Sequence, residues 1–175
     1  PGAEAAAVLV ENRHLLPARG RALDLACGLG GNAMLLAASG LQTWAWDWSA
    51  AAIEAVRKSA DEQGFALTAE VRDVVALAPE PERFDVVVVS RFLERALFQS
   101  LAATLRPGGL LFYQTFTRER VDGGGPSNPA FRLADNELLQ AFGDLRLVVY
   151  REEGCLGDPA RGLRNEAMLV AQRRP

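Results

Sequence analysis

Three glycines stand within four positions: Gly28, Gly30 and Gly31. They lie between a short apolar run and an apolar stretch of helical character. Glycine there costs conformational entropy and adds no packing, so a tight turn or a ligand close to the backbone should explain it. The strand entering this loop carries Asp24, and the next two predicted strands end in Asp47 and Asp73. Because carboxylates repel a pyrophosphate and attract a cation, the pattern predicts a site for a cationic ligand.

The same loop also fits another class of site. Residues 28–33 match the G-x-G-x-x-A form of the dinucleotide fingerprint. Asp47 follows Gly30 by 17 positions, at the end of the next predicted strand, where a ribose-binding carboxylate belongs in that scheme. The pattern alone therefore leaves open a nicotinamide cofactor or another ligand that contains adenosine.

Strands and helices alternate along the chain. Seven runs predict strands: ALDLA, QTWAWD, ALTAEVRD, RFDVVVVS, LLFYQTFT, LRLVVYRE and NEAMLVAQR. Four consecutive valines in the fourth run are typical of a strand buried on both faces. The last two runs are joined only by the loop 153–164, so we expect them to pair as an antiparallel hairpin. The chain is predicted to form one α/β domain, residues 1–175, in which helices cover both faces of a mostly parallel seven-stranded sheet.

Helical patterns separate these strands. An Ala-rich stretch from about Ala3 to Leu16 predicts a helix that stops at Pro17, so that residues 1–20 form an N-terminal helical cap. Further helices are predicted over GNAMLLAASG, over AAAIEAVRKSADEQ with Ser49 as cap, along the leucines 93, 97, 101 and 105, and over NELLQAF with Asp135 as cap. The glycine-rich stretch DGGGPSNP predicts a mobile loop, and residues 118–133 around it are a candidate lid.

Composition limits the class of protein. The chain has 175 residues, 49% hydrophobic and 23% charged, with a formal net charge of −3. Basic residues form no run beyond pairs, so we expect no nucleic-acid partner. No apolar run approaches the ~20 residues of a membrane span, so no membrane partner is expected. Two cysteines are too few for a disulfide scaffold, which favours a cytoplasmic location, and one histidine without a cysteine–histidine cluster predicts no metal site.

Five motifs in a fixed order carry a family resemblance: LDLACGLGGNAMLLA, WDWS, VRD, FDVVVVSRFL and LRPGGLLFYQTF. With these motifs, which cover most of residues 21–117, the chain resembles a class I S-adenosylmethionine-dependent methyltransferase. The resemblance implies a Rossmann-like, doubly wound sheet and S-adenosyl-L-methionine as cofactor. That ligand carries a sulfonium, an ammonium and one carboxylate, which agrees with acids at the sheet edge and with a helix N-terminus after the glycine loop.

The resemblance also implies roles for single residues. Asp24 is expected to organise the glycine loop and to face the amino group, and Asp47 to accept from both ribose hydroxyls. Trp48 is expected against the adenine, and Asp73 at its exocyclic amine with Val74 beside it. The full set expected to bind the cofactor is Asp24, Ala26, Gly28, Gly30, Asn32, Asp47, Trp48, Asp73, Val74 and Ser90.

Simpler interpretations stay open for several of these positions. The alternative for Asp24 is a turn cap, and that for Asp73 is a plain acid at a strand end. Asp47 as the cap of the following helix is the third alternative, although Ser49 suits that role better. Trp44 and Trp46 are predicted to pack on the sheet. Cys27 is predicted to fill a small buried space and not to act as a nucleophile.

The methyl acceptor is expected at the carboxyl ends of the fourth and fifth strands, where the crevice of a parallel sheet opens. Candidate acceptor-site residues are Arg91, Arg95, Gln114 and Thr115. Arg91 and Arg95 would face one pocket if a helix had begun there. Further arginines in nearby loops are expected to add to a crevice that pairs anions: Arg118, Arg120, Arg132, Arg161 and Arg164.

The segments RFLERALFQSLAATLRPGGLLFYQTFT, SNPAFRLADNELLQAF and VVYREE resemble small bacterial methyltransferases related to tellurite-resistance proteins. This resemblance implies in-line methyl transfer to a small-molecule acceptor, either an oxyanion or a soft nucleophile. Two other functions stay open. One is a non-catalytic module that binds or senses the cofactor. The other is a nicotinamide oxidoreductase, for which one lysine and one histidine supply little acid–base chemistry.

Overall fold

The computed structural model describes residues 3–175, and seven strands within this range form one sheet. The strands are β1 (Arg21–Leu25), β2 (Gln42–Asp47), β3 (Leu67–Val71), β4 (Phe84–Ser90), β5 (Leu105–Phe116), β6 (Arg146–Glu152) and β7 (Glu166–Gln172). Their order across the sheet is β3-β2-β1-β4-β5-β7-β6. Strands β1 to β5 pair in parallel, and β7 runs antiparallel to both β5 and β6. The predicted fold class is confirmed.

The strand order places a crevice between β1 and β4. From β1 the chain builds outward through β2 and β3, then crosses back to add β4 and β5 on the other side of β1. In sheets of this kind ligands bind outside the carboxyl ends of the strands at the point where the order reverses. The residues that follow β1 and β4 are therefore expected to line a ligand site.

Helices cover both faces of the sheet. They are α1 (Ala7–Glu11), α2 (Gly31–Ala38), α3 (Ala50–Gln63), α4 (Phe98–Thr104) and α5 (Glu137–Ala141). Val86 and Val88 of β4 pack with α1 and α2, whereas Val87 and Val89 pack with α4 and α5. All four valines are fully buried, as predicted for a central strand. No helix within residues 3–175 has the length and apolar character needed to cross a membrane.

The first helix is shorter than predicted. Residues 3–6 are not helical, α1 covers only Ala7–Glu11, and a separate 3₁₀ turn covers Arg13–Leu15. The helical conformation ends at Asn12, where φ is −114° and ψ is 17°. The Asn12 side chain donates to the carbonyl oxygen of Val8 at 2.9 Å. Such a side-chain bond competes with continuation of the helix, so the predicted helix over residues 3–16 is wrong at both ends.

Other boundaries also differ from the prediction. A 3₁₀ turn over Arg95–Leu97 precedes α4, and Leu105 already belongs to β5. The four leucines are nevertheless buried in one core, so their spacing predicted the buried face correctly. Helix α5 follows Asn136, which adopts a φ of 59° that asparagine tolerates, and Asp135 is not its cap. The predicted cap of α3 is confirmed, because Ser49 Oγ accepts from a backbone N–H in the first turn at 3.2 Å.

The tryptophans of β2 pack as predicted. Trp44 and Trp46 each meet the ring of Phe84 edge to face, with ring centroids 5.6 and 5.7 Å apart. Trp46 is fully buried. These aromatic contacts stabilise the sheet.

Candidate functional site

The crevice between β1 and β4 contains two residues in the left-handed backbone region. Ala26 directly follows β1 and has a φ of 57°, and Arg91 directly follows β4 and has a φ of 53°. This conformation costs free energy in residues that carry a Cβ, and such strain is concentrated at functional sites. The surrounding structure therefore holds both strand ends in a geometry that their own preferences disfavour.

A cavity of about 420 Å³ opens at these strand ends, and we call it the Asp47 cavity. Its lining residues are Ala26, Asp47, Trp48, Arg72, Asp73, Val74, Val75, Arg91 and Phe92. Half of the residues expected to bind the cofactor meet here: Ala26, Asp47, Trp48, Asp73 and Val74. The indole of Trp48 is 82% exposed, so its surface is free for a ligand.

The carboxylate of Asp47 joins two backbone segments. Its Oδ2 accepts from the N–H of Gly28 at 2.9 Å, and its Oδ1 accepts from the N–H of Ser49 at 2.9 Å. An ionised carboxylate offers about four lone-pair sites, so two remain for further donors. Asp47 thus fixes the glycine loop to the end of β2 and keeps acceptor capacity for a ligand.

Asp73 combines a turn cap with a place in the same cavity. Its Oδ1 accepts from the N–H of Val75 at 3.0 Å and of Ala76 at 3.1 Å. The neighbouring Arg72, which sequence reasoning missed, donates to two backbone carbonyls and lies 3.9 Å from the centre of the Trp46 ring. The plain role of an acid at a strand end and the role of a ligand contact are therefore compatible for Asp73.

The three glycines of the loop are required for different reasons. A Cβ at Gly28 would meet nothing within 4 Å, whereas one at Gly30 would lie 2.7 Å from Val56 in α3. A Cβ at Gly31 would lie 2.4 Å from the backbone oxygen of Glu4. Only Gly28 faces open space. Gly30 and Gly31 are needed because protein atoms pack against them, and Gly30 also because its φ is 80°. The ligand contact expected of Gly28 and Gly30 stays a prediction.

Asp24 lies beneath the loop and is fully buried. It accepts from the side chain of Asn32 at 3.4 Å and from the N–H of Ala33 at 3.0 Å, both in the first turn of α2. Burial raises the pKa of Asp24 to about 7, the two hydrogen bonds oppose this rise, and the charge of Asp47 adds to it. These contacts are those of an acid that organises the loop. Its expected contact with an amino group stays a prediction.

Asn32 connects three parts of the chain. Its Oδ1 accepts from the N–H of Ala6 at 2.8 Å, and its Nδ2 donates to Ser90 Oγ at 2.9 Å as well as to Asp24. The segment before α1 therefore lies over the start of α2. A cavity of about 1040 Å³, the N-terminal cavity, lies between them and is lined by Ala3, Glu4, Ala5, Ala6, Ala7, Val10, Glu11, Gly31, Leu35, Ser90, Arg91 and Gln114.

Glu166 is a functional candidate that sequence reasoning missed. This buried carboxylate at the start of β7 accepts from Gln114 Nε2 through Oε2 and from Arg91 Nε through Oε1 at 3.2 Å. Gln114 Oε1 in turn accepts from the N–H of Val8 at 2.7 Å. Gln114 is thus engaged on both sides and positions its neighbours. No local sequence signal marked Glu166, because its partners lie 52 and 75 positions earlier.

Arg95 lines none of the cavities of about 1040, 420 and 340 Å³ that Arg91 lines. The helix expected over both residues begins only at Phe98, after the 3₁₀ turn over Arg95–Leu97. Arg95 donates to Glu137 at 2.5 Å, to the carbonyl oxygen of Ala130 at 2.6 Å and to that of Arg132 at 3.0 Å. It fastens the segment 118–133 to α5. These contacts give Arg95 a structural role, and its expected contact with the acceptor stays a prediction.

The other predicted arginines also serve the loops. Arg132 is buried and donates to the carbonyl oxygens of Thr117, Gly124 and Pro126. Arg164 donates to carbonyl oxygens of its own hairpin loop. The remaining three are exposed: Arg118, Arg120 and Arg161. Among the arginines predicted for the acceptor crevice, Arg91 is the one that lines a cavity described here.

A third cavity of about 340 Å³, the Thr115 cavity, adjoins the Asp47 cavity and shares Val75, Arg91 and Phe92 with it. The remaining lining residues are Leu93, Glu94, Thr115, Phe116, Pro126 and Phe131. Because residues that directly follow β4, the end of β5 and the segment 118–133 all contribute, this cavity lies where the sequence predicted the acceptor.

Two other kinds of site were considered from the sequence, a metal site and a nucleophilic cysteine. Within residues 3–175 no group of three or more histidine, cysteine or acidic side chains is arranged to hold a metal ion. Cys27 is buried, and burial raises the pKa of its thiol, the opposite of what a nucleophile requires. Its predicted role as a buried filler is confirmed.

Comparison with known proteins adds a family and a set of related folds. Residues 22–109 match the family described as a methyltransferase domain. A ubiquinone biosynthesis O-methyltransferase of Coxiella burnetii is 29% identical over 101 residues, which are 55% of this chain and 43% of that protein. The chain thus spans less than half the length of this relative.

Two solved structures show the likeness of fold. TehB from Haemophilus influenzae superposes with a TM-score of 0.75 at 20% identity, over 95% of this chain and 61% of that one. A structure described as a putative S-adenosylmethionine-dependent methyltransferase from Listeria monocytogenes gives 0.72 at 14% identity, over 96% and 98% of the two chains.

Proposed function

Since the chain belongs to the methyltransferase-domain family, we propose that it transfers the methyl group of S-adenosylmethionine to a small-molecule acceptor. The membership agrees with the class and the cofactor that the sequence motifs predicted. The observation that carries the proposed activity is the Asp47 cavity, where Asp47, Trp48 and Asp73 converge beside a glycine that faces open space.

The residues at the site fit this cofactor. Asp47 retains lone pairs for the two ribose hydroxyls, and the exposed ring of Trp48 offers an apolar face to the adenine. Asp73 would accept from the adenine amine, since its two backbone donors both use Oδ1. The open space next to Gly28 would let the cofactor lie close to the backbone. The N-terminal cavity, which Ser90 lines, would hold the amino-acid end of the cofactor.

The chain's own contribution to catalysis is alignment and exclusion of water. When bound, S-adenosylmethionine would supply a methyl carbon attached to a cationic sulfur, so that an electron pair of the acceptor could bond to this carbon in line with the breaking carbon–sulfur bond. Orientation of two reactants in such a step is worth roughly 7–11 kcal/mol in well-oriented systems. Arg91, fixed through Glu166, lines both the Asp47 and Thr115 cavities and would orient the acceptor between them.

The acceptor is proposed to be small and anionic or soft, in line with the implied oxyanion or soft nucleophile. The guanidinium of Arg91 supports an acceptor with negative charge. The Coxiella relative is named as an O-methyltransferase, which supports oxygen as the methylated atom. We propose a small molecule in place of a nucleic acid or a membrane lipid because the Thr115 cavity, where the acceptor is expected, is small and the net charge of the chain is −3.

Calorimetric titration of the chain with S-adenosylmethionine, S-adenosylhomocysteine and NADH tests the cofactor. We expect binding of the first two and none of NADH. A preference for NADH would overturn the proposed function in favour of an oxidoreductase. Release of S-adenosylhomocysteine during incubation with tellurite, selenite, thiols and small carboxylic and phenolic acids then tests catalysis. Cofactor binding without turnover of any acceptor would favour the sensing module.

A further inference from the structure

The walls of the Thr115 cavity are aromatic. Phe92, Phe116 and Phe131 line it together with Pro126, and Phe131 is 55% exposed. A bare inorganic oxyanion would leave these faces in water, whereas a flat ring packed among them would cover apolar surface. The volume of about 340 Å³ lies at the lower end of small-molecule sites, which suits one ring system.

One polar group in this wall has no partner within the protein. Thr115 is 1% exposed, and its buried hydroxyl makes no hydrogen bond within residues 3–175. A buried polar group without a partner destabilises the folded protein, and an exception of this kind calls for an explanation. A ligand oxygen that accepts from Thr115 would supply the missing bond.

The second polar group is the guanidinium of Arg91. Its Nε donates to Glu166, its side chain is 70% exposed, and its two Nη groups donate to no other residue in the range 3–175. Two free N–H groups of one guanidinium match the two oxygens of a carboxylate. Arg91 is the one cationic residue that lines this cavity, and the carboxylate of Glu94 lines it too, with one oxygen accepting from the N–H of Ala96 at 3.1 Å. A second negative charge on a ligand would therefore have no cationic partner there and would be repelled by Glu94.

We propose that the Thr115 cavity binds a monoanionic aromatic acid, with its ring among the phenylalanines and its charged oxygens at Arg91 and Thr115. This inference rests on the proposed function, because it names the acceptor class for the site beside the Asp47 cavity. It narrows the acceptor from any small anion to a planar molecule that carries one acidic group.

The test uses the full chain saturated with S-adenosylhomocysteine and the probes benzoate, benzamide, acetate, phthalate and tellurite. Calorimetry or saturation-transfer NMR should show benzoate binding at least tenfold more tightly than each of the others. Arg91→Gln should abolish the preference for benzoate over benzamide. Thr115→Val, which removes the hydroxyl at constant shape, should weaken benzoate several-fold while the melting temperature stays the same or rises.

Two matched variants serve as controls. Thr68→Val changes an exposed strand threonine, and Arg174→Gln removes an exposed arginine near the C-terminus, so both should leave benzoate binding unchanged. Tellurite or acetate that binds as tightly as benzoate would overturn the inference, as would unchanged benzoate affinity in Thr115→Val. Absence of S-adenosylhomocysteine binding would instead contradict the proposed function, so the two failures are distinguishable.

Discussion

The backbone N–H of Gly28 donates to Asp47 Oδ2 at 2.9 Å, and this bond ties the loop after β1 to the end of β2. The other oxygen of Asp47 accepts from Ser49, so one carboxylate fixes the glycine loop and the start of α3 together. The same side chain lines the cavity expected to hold adenosine. Its structural and ligand-binding roles are therefore coupled, and a substitution will affect both.

Asp47→Ala should lower the affinity for S-adenosylhomocysteine by about 10- to 100-fold, since a hydrogen bond to a charged group contributes about 1.5–3 kcal/mol. The fold should survive, because the sheet and its cores do not depend on this side chain. Calorimetry measures the affinity, and circular dichroism checks the fold. Asp61→Ala, an exposed acid in α3, is the matched control. Wild-type affinity in Asp47→Ala would contradict the assignment.

Replacements of Gly28 and Gly30 should fail for different reasons. Gly28→Val places a side chain in the open space next to the loop, so it should block cofactor binding. The free energy of unfolding should fall by only about 1–2 kcal/mol, because valine is strained in the left-handed backbone conformation of this position. Gly30→Ala brings a Cβ within 2.7 Å of Val56 and should lose more stability.

Val56→Ala provides the control for the second glycine. Part of the stability lost in Gly30→Ala should return in the double variant Gly30→Ala/Val56→Ala, because the clash is removed. Urea unfolding of the four chains of this cycle measures the coupling. Additive effects would show that Val56 is not the cause.

Local patterns predicted most of the fold, because each pattern reports on a single element and its burial. The valines of β4, the cap at Ser49 and the last two strands are examples, and the glycine loop was located correctly. Glu166 was missed because its role arises only when β7 inserts beside β5 and meets Gln114. The reason for Gly31 was missed because Glu4, which packs on it, belongs to a segment predicted to be helical.

Arg95→Gln should loosen the segment 118–133 and leave cofactor affinity unchanged. The guanidinium holds two carbonyl oxygens of that segment and Glu137 of α5, and it lies outside the Asp47 cavity. Hydrogen exchange in residues 118–133 should accelerate, and acceptor turnover should fall if this segment closes over the reactants. Arg106→Gln, which removes an exposed arginine paired with the partly buried Asp85, is the control. Unchanged exchange would mean that Arg95 is not the fastening residue.

Asp24 should make the stability of the cofactor-free chain depend on pH. Burial raises its pKa from 3.8 to about 7, so between these values the folded chain keeps a proton that the unfolded chain has released. The stability linked to this proton is fully present below about pH 4 and is lost as the pH rises towards 7, at about 1.4 kcal/mol per pH unit. Asp24→Asn cannot titrate and should flatten this slope in urea unfolding between about pH 5 and pH 7. Asp61→Asn should retain it, and an equal slope in Asp24→Asn would assign the dependence to other groups.

The same proton should link pH to cofactor binding. A ligand that brings an ammonium and a sulfonium near the loop favours ionised Asp24, so binding should expel the proton held there. Affinity for S-adenosylmethionine should therefore rise between about pH 6 and pH 8, and calorimetry in buffers of different ionisation enthalpy should detect the released proton. Among residues 3–175, Asp24 is the one group beneath the loop whose pKa is raised into this range. Asp24→Asn removes this group, so the affinity of the variant for S-adenosylmethionine should lose this part of the pH dependence. Titration of the ligand's own amino group affects both chains equally, and the difference between them isolates Asp24. If the affinity depended on pH identically in the two proteins, the charges of the ligand would not affect the protonation of Asp24.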